Sequence, residues 1–189
     1  MEESNRIFMI VNSKDPNIAV VKQQIGNYLA EHGQYAMALP YFLSAIEIDP
    51  MVAIYHYQLG ELLKMFKESF ISSGILTREQ FDKQMLNAFY QARKIEPESW
   101  IYQARYAEAF YDLDRPRWFE ALMLWKDLEG MAPTVKEKEL VFLNEARVLI
   151  KLERYEEARG CLAKVYVPEF EKSRRELLEL IPAIPVLAN

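Results

Sequence analysis

The residue types that most often perform chemistry are scarce in this chain of 189 residues. It has two histidines, His32 and His56, and one cysteine, Cys161. A Cys–His pair supports nucleophilic catalysis, and clusters of Cys and His bind metal ions. These three residues are spread along the sequence, and a single cysteine excludes a CxxC site or an internal disulfide. We therefore expect no enzymatic activity, no metal and no cofactor.

The sequence also gives little support for a phosphate-binding site or for catalytic carboxylates. Six glycines are too few and too scattered for a glycine-rich phosphate-binding loop. Carboxylates are plentiful, but their spacing predicts solvated helix faces with partners such as Lys151 and Arg154. The residues interpreted in this way are Glu137, Glu139, Glu153, Glu156 and Glu157.

Composition narrows the class of protein further. The chain is 51% hydrophobic and 27% charged, with a formal net charge of −5. The apolar share excludes disorder, and the mild acidity argues against nucleic acid as a partner. No run reaches the roughly 18 apolar residues of a membrane span, and the start lacks a signal sequence. These features favour the cytoplasm, with the periplasm left open for a fragment of a secreted protein.

The elements that position the side chains are marked by prolines. Pro16, Pro50, Pro97, Pro133 and Pro168 are separated by 34, 47, 36 and 35 residues. Between them, apolar residues recur with helical spacing and almost no strand alternation. Proline cannot continue a helix interior, so each interval predicts two helices bounded by proline.

The small and aromatic residues within these intervals keep a common order. They are Gly26, Leu29, Ala38, Phe42 and Ala45; Gly60, Leu63, Met85, Phe89 and Ala92; Ala107, Phe110, Ala121, Trp125 and Leu128; and Ala146, Leu149, Ala158, Leu162 and Val165. This pattern resembles the tetratricopeptide repeat (TPR), a helix-turn-helix unit of about 34 residues. The resemblance implies an all-α, right-handed superhelical solenoid of antiparallel helix pairs. We expect small residues to allow close approach within a pair and aromatics to fill the gaps between pairs.

The repeats assigned on this basis are 19–50, 53–97, 100–133 and 139–167, within a single domain over residues 1–189. Residues 1–16 are predicted to form a half repeat or cap. Residues 168–181 are predicted to form a capping helix, which a solenoid needs at its end. Residues 182–189 form a tail. Residues 1–16 either cap the stack or are the remainder of an upstream repeat in a longer array.

The second interval is 13 residues longer than the unit of 34. It contains Thr77 and Gln80 at the spacing of a capping box, so we predict a projecting hairpin at 64–84. Its apolar residues either pack within the hairpin or form an exposed patch for a partner. The candidate patch is Phe66, Phe70, Ile71, Ile75 and Leu76.

TPR proteins are interaction modules whose concave groove is lined by the first helix of each pair. The resemblance places these residues in the groove: Val20, Gln23, Asn27, Ile54, Tyr57, Glu61, Ile101, Ala104, Arg105, Glu108, Leu140, Leu143 and Arg147. One position is aliphatic in all four repeats, namely Val20, Ile54, Ile101 and Leu140. Three explanations compete for this stripe: a bound peptide, the chain's own tail 182–189, or core between helices.

One subclass of the family grips a partner's C-terminal carboxylate with Lys, Asn and Arg residues. Asn27 and Arg105 match that set, but Gln23, Gln58 and Ile101 stand where Lys, Asn and Lys are needed. Without the lysines the carboxylate loses its charge-assisted hydrogen bonds. We do not expect this mode of binding here.

The resemblance therefore predicts a non-catalytic scaffold that binds a protein or peptide partner in the groove. The alternative is a structural or assembly module that contacts partners, including further copies of itself, through the hairpin 64–84 or its ends. Nothing in the sequence identifies the partner.

Overall fold

The computed structural model describes residues 2–183, and these are all-helical, as the sequence predicts. No strand occurs within that range. The helices are α1 Glu2–Lys14, α2 Ala19–Glu31, α3 Tyr35–Ile48, α4 Ala53–Met65, α5 Lys67–Ser72, α6 Arg78–Ile95, α7 Trp100–Ala109, α8 Trp118–Leu128, α9 Val135–Lys151, α10 Tyr155–Leu162 and α11 Glu171–Glu179. Most of the predicted tail, from Ile184 onward, lies outside the described residues.

The chain packs as two compact units. Unit 1 extends to Asp114 and contains α1–α7, and unit 2 begins at Arg115 and contains α8–α11. The predicted third repeat, 100–133, thus contributes α7 to unit 1 and α8 to unit 2. A single domain over 1–189 stays a prediction.

Helix pairs form the body of unit 1. Helix α2 packs on α3, α4 packs on α6, and α1 lies against α2. Gly33 has a φ of 71° in the turn between α2 and α3, a conformation that glycine adopts without steric cost. The pairs therefore follow the predicted order of first and second helices.

The close contact within each pair of unit 1 joins a glycine to a ring. A Cβ atom built on Gly26 would lie 3.2 Å from the ring of Phe42, and one on Gly60 would lie 2.6 Å from that of Phe89. The predicted close approach at these glycines is therefore present. The predicted place of the aromatics, in the gaps between pairs, does not describe Phe42 and Phe89 fully, because each also packs against the glycine of its own pair.

In the long second repeat the first helix is interrupted by a bend, whereas the second helix, α6, is long at 18 residues. Helix α4 ends at Met65, and the short helix α5 follows after Phe66. The predicted capping box is confirmed, since Thr77 accepts a hydrogen bond from the Gln80 backbone and the Gln80 side chain accepts one from Thr77.

The apolar residues of this hairpin are mostly covered. Phe70 and Leu76 are buried, and Phe66 stacks on Tyr35 with ring centroids 5.4 Å apart. The exposed-patch interpretation is therefore wrong for Phe70 and Leu76, because each packs into the interior of unit 1. Ile75 is the exposed member of the predicted patch.

Unit 2 is built around α9. Helices α8, α10 and α11 all contact it, and Thr134 caps its first turn by accepting from the Glu137 backbone. Trp125 and Leu162 are fully buried in this unit. Helix α11 lies within the predicted cap 168–181, where Leu177 and Ile181 are buried.

Glu139 of unit 2 is buried, which corrects the prediction that this carboxylate faces solvent. The residue is 6% exposed, and its Oε2 accepts hydrogen bonds at 2.6 Å from the backbone N–H groups of both Tyr166 and Val167. These donors replace the water that a surface carboxylate would bind. Glu139 thereby holds the segment after α10 against α9.

Candidate binding face

Helices α2, α4 and α7 form one face of unit 1, which we call the first-helix face. Its predicted aliphatic residues are accessible, with Val20 51% and Ile101 60% exposed, and Ile54 half-buried between them in sequence order. Core residues between helices are normally almost completely buried. The core explanation of the stripe is therefore wrong for Val20 and Ile101.

Glutamine side chains join α2 to α4 on this face. The Gln23 amide donates to Gln58 at 2.7 Å, and the Gln24 amide donates to Gln23 at 2.9 Å. Gln23 is buried by these contacts. It therefore ties the two helices together and is unavailable to a ligand, in contrast to its predicted role.

An ion-pair triad joins α4 to α7. Arg105 Nε lies 2.8 Å from Glu61, and its Nη1 lies 2.7 Å from Glu108. Burial disfavours the charged form of Arg105, but Glu108, Glu61 and a hydrogen bond with Tyr57 outweigh it and raise the pKa. The pKa of Glu61 is also raised, because desolvation outweighs the attraction of Arg105. The three side chains therefore form a rigid charged bridge.

Tyr57 completes the contact between these helices. Its ring lies 5.2 Å from that of Tyr102, centroid to centroid, and 6.1 Å from that of Phe89 in an edge-on arrangement. Ala104, another predicted groove residue, is buried. Tyr57, Glu61, Arg105 and Glu108 are thus brought together, whereas Ala104 is covered.

Two cavities lie along the start of the first-helix face. The larger, which we call the α2–α4 cavity, has a volume of about 270 Å³. It is lined by Asn27, Ala30, Glu31, Phe42, Gln58, Glu61, Leu62, Met65 and Phe66. The second, the α1–α2 cavity, has about 230 Å³ and is lined by Ser4, Asn5, Phe8, Gln24, Asn27, Tyr28 and Glu31.

Asn27 and Glu31 line both cavities. The sequence predicted Asn27 at the site but missed Glu31, because the resemblance places no groove residue on α2 beyond Asn27. Glu31 is the last residue of α2, so one further turn of the same helix face would have identified it.

In unit 2 the predicted groove residues are less available. Leu143 is buried, while Leu140 and Arg147 are half-buried. Arg147 donates to the Asn144 side chain at 2.8 Å, and Asn144 donates to the Leu140 carbonyl at 3.0 Å. The accessible candidate site therefore concentrates in unit 1.

The two histidines and the cysteine, which are the residue types most often used in catalysis, have partners within the fold. A ring nitrogen of His32 lies 2.7 Å from the Tyr28 carbonyl, and one of His56 lies 2.8 Å from the Pro50 carbonyl. In unit 2, burial and the neighbouring Glu145 raise the pKa of Cys161 to about 12, so the reactive thiolate is suppressed. Across residues 2–183, no group of three His, Cys, Asp or Glu side chains is placed to hold a metal ion.

Among the described residues, none of the helices combines the length and the apolar character needed to cross a bilayer.

Comparison with known proteins identifies the fold. No protein-family model matches the chain, and no curated protein matches its sequence significantly. The structure described as the MamA RS-1 ArsTM double mutant is 18% identical over 92% of this chain and 86% of its own, with a TM-score of 0.69. A second structure of MamA is 13% identical over 96% and 87%, with a TM-score of 0.67.

YrrB, described as a TPR protein with an unusual peptide-binding site, is 15% identical over 91% and 97% of the two chains. Its TM-score of 0.48 is too low to support an argument. The MamA likenesses extend over nearly the whole chain, and the helix pairs of unit 1 carry the close glycine contacts of the repeat pattern. The chain therefore has the all-helical fold of the tetratricopeptide-repeat type.

Proposed function

We propose that the protein is a non-catalytic scaffold that binds an extended polypeptide segment on the first-helix face of unit 1. The observation that carries the proposal is the exposure of Val20 and Ile101 beside side chains that are firmly tied to one another. The exposed aliphatics offer area to bury, and the surrounding polar bridges hold their helices in place. Such a preformed surface loses little entropy on binding.

The energy available from this face fits moderate affinity. Burying a whole Val or Ile side chain is worth roughly 1.5–3 kcal/mol, so the exposed halves of Val20 and Ile101 offer about 1 kcal/mol each. Together they would improve affinity by roughly thirtyfold, since 1.4 kcal/mol corresponds to a factor of ten.

Amide groups supply the directional part of binding. The Asn27 and Gln58 side chains line the α2–α4 cavity. Asn27 has both donor and acceptor atoms, and Gln58, whose oxygen accepts from Gln23, offers its amide N–H donors. An extended peptide presents backbone N–H and C=O groups that such amides can pair. Aliphatic contacts and amide pairing therefore act on the same ligand without requiring any catalytic group.

The alternative assembly role has a weaker basis. The hairpin residues that would form its contact surface are largely buried, leaving Ile75 exposed. On α1, Ile7 and Ile10 are exposed at helical spacing, but nothing in the described structure indicates what covers them. The first-helix face is therefore the better candidate.

The experiment is a selection of peptides of about twelve residues from a random display library, followed by calorimetry on the enriched peptides. We expect Val20→Asp and Ile101→Asp each to weaken binding at least tenfold, because each buries a carboxylate in the contact. Val135→Asp is the matched control, since Val135 is 71% exposed on α9 in unit 2. Failure to enrich any peptide, or unchanged affinity in Ile101→Asp, would overturn the proposal.

A further inference from the structure

The two cavities of unit 1 present oxygen atoms that can accept hydrogen bonds from a ligand. Asn5 Oδ1 in the α1–α2 cavity is buried without a hydrogen-bond partner, whereas Glu61 Oε1 in the α2–α4 cavity lies 2.8 Å from Arg105 Nε. Glu31 lines both cavities, and no cationic side chain among residues 2–183 lies within 4.0 Å of its carboxylate. Buried acceptors without donors are costly, so a ligand that brings donors is favoured.

We propose that these cavities receive Lys or Arg side chains of the bound segment. This inference rests on the proposed function, because it assigns a chemistry to the peptide that the first-helix face binds. The partner is accordingly a basic, partly apolar polypeptide segment.

The charges of the site support a cationic ligand. Neither cavity is lined by Lys or Arg, whereas Glu31 and Glu61 are present. Arg105 faces two carboxylates, Glu61 and Glu108, so the triad retains one net negative charge. Complementary charge of this kind sets specificity and speeds association, while an acidic segment would be repelled.

The size of the cavities favours single side chains over a separate small molecule. Small-molecule pockets typically enclose about 300–1,000 Å³. The two cavities, at about 270 and about 230 Å³, are smaller than that and adjoin at Asn27 and Glu31. Neighbouring side chains of one extended peptide would therefore enter neighbouring cavities.

The lining also suits the mixed character of Lys and Arg. Leu62, Met65 and Phe42 offer an apolar surface to the methylene stem, while Glu31 and Glu61 accept from the charged end. Phe66 in the α2–α4 cavity and Tyr28 in the α1–α2 cavity add aromatic rings, which attract cations. Both parts of a long cationic side chain thus find partners in one cavity.

The test uses three soluble, end-capped peptides that repeat Leu-Ser-X four times, where X is Lys, Gln or Glu. Fluorescence anisotropy measures their affinities for the intact chain at about 0.05 M and about 0.5 M NaCl. We expect the Lys peptide to bind at least tenfold more tightly than the Gln peptide at low salt, and the Glu peptide to bind most weakly. The preference should shrink to about threefold at high salt, because salt screens exposed charges.

Reversing the charge of Glu31 tests whether its carboxylate causes the preference for the Lys peptide. Glu31→Lys should remove the preference for the Lys peptide, and Glu31→Gln should reduce it by about half on a logarithmic scale. Glu47→Lys is the matched control, because Glu47 is an exposed residue on α3 in the same unit. It changes the net charge equally and should leave the preference intact.

Two outcomes would overturn the cation inference alone. One is equal binding of the Lys and Gln peptides with both lost in Ile101→Asp, which leaves the proposed function standing. The other is an equal loss of preference in Glu31→Lys and Glu47→Lys, which would assign the effect to overall charge. If none of the three peptides binds and the library selection also yields none, both proposals are overturned.

Discussion

The contact between Gly60 and Phe89 gives the sharpest prediction about packing. A Cβ atom at Gly60 would lie 2.6, 2.7 and 2.8 Å from three atoms of the Phe89 ring. Carbon atoms in contact normally lie about 3.5–4.0 Å apart, so the ring must move by about 1 Å. Phe89 is completely buried, and little space is available for that movement. We therefore predict that Gly60→Ala destabilises unit 1.

The magnitude follows from two opposing terms. Overpacking a buried site costs roughly 1–3 kcal/mol, whereas replacing Gly by Ala inside a helix gains about 1 kcal/mol. Because the required shift of the ring is large, the overpacking cost should lie in the upper part of its range. The net loss in the free energy of unfolding is about 1–2 kcal/mol, or a fall of about 0.5–1 M in the urea midpoint at an m-value near 2 kcal/mol/M.

Urea denaturation followed by far-UV circular dichroism measures this loss, and two glycines provide a graded control. At Gly26 the added Cβ would lie 3.2 Å from Phe42, so Gly26→Ala should cost less. At Gly160, an exposed residue in α10, nothing lies within 4 Å, so Gly160→Ala should stabilise. Adding Phe89→Leu to Gly60→Ala should relieve the overlap. If Gly60→Ala stabilised the protein as Gly160→Ala does, the reasoning would be refuted.

Two further predictions concern buried carboxylates in unit 2, both measured by urea unfolding. Glu139→Ala should lower the free energy of unfolding by about 3–6 kcal/mol, because hydrogen bonds to a charged group are each worth roughly 1.5–3 kcal/mol and both Tyr166 and Val167 would lose theirs. A loss below about 0.5 kcal/mol would contradict this. Burial raises the pKa of Glu145, 5% exposed, above its value in the unfolded chain, so the native state holds this proton more tightly. Its contribution to stability is therefore present at low pH and declines as pH rises through the raised pKa. Glu145→Gln should flatten that decline, which begins above the ordinary carboxyl pKa, and an unchanged pH profile would contradict the assignment.

Much of the fold was predictable because the repeat uses local signals. Pro50 and Pro97 interrupt helical periodicity, and Thr77 with Gln80 marks a helix start by residue type alone. The bend at Phe66 carries no such signal. There, stacking on Tyr35 from another helix accompanies the end of α4, and a contact of this kind cannot be derived from local sequence.

The site was predictable as a face but not as a set of available side chains. Val20 and Ile101 are exposed, as expected of the groove residues that the resemblance implies. Gln23 and Ala104, which it places in the same groove, are buried. A small rotation of a helix decides between these outcomes, and it depends on neighbouring helices. Glu139 shows the same limit, because its partners are backbone groups 27 and 28 residues away.

The side-chain contacts between α2, α4 and α7 fix the spacing of the helices in the first-helix face. Gln23 with Gln58 fixes α2 to α4, and Arg105 with Glu61 fixes α4 to α7. A ligand that crosses these helices therefore meets a surface whose spacing is already set. This arrangement favours recognition of an extended segment over one that must reshape the protein.

Binding of a peptide by unit 1 through α2, α4 and α7 can be observed by chemical-shift mapping of the isotopically labelled protein, titrated with a selected peptide. We expect the largest backbone amide shifts to cluster at Val20, Asn27, Glu31 and Ile101, and we expect Ile101→Asp to abolish them while Val135→Asp does not. Shifts concentrated on α3 and α6, with the first-helix face unchanged, would contradict it.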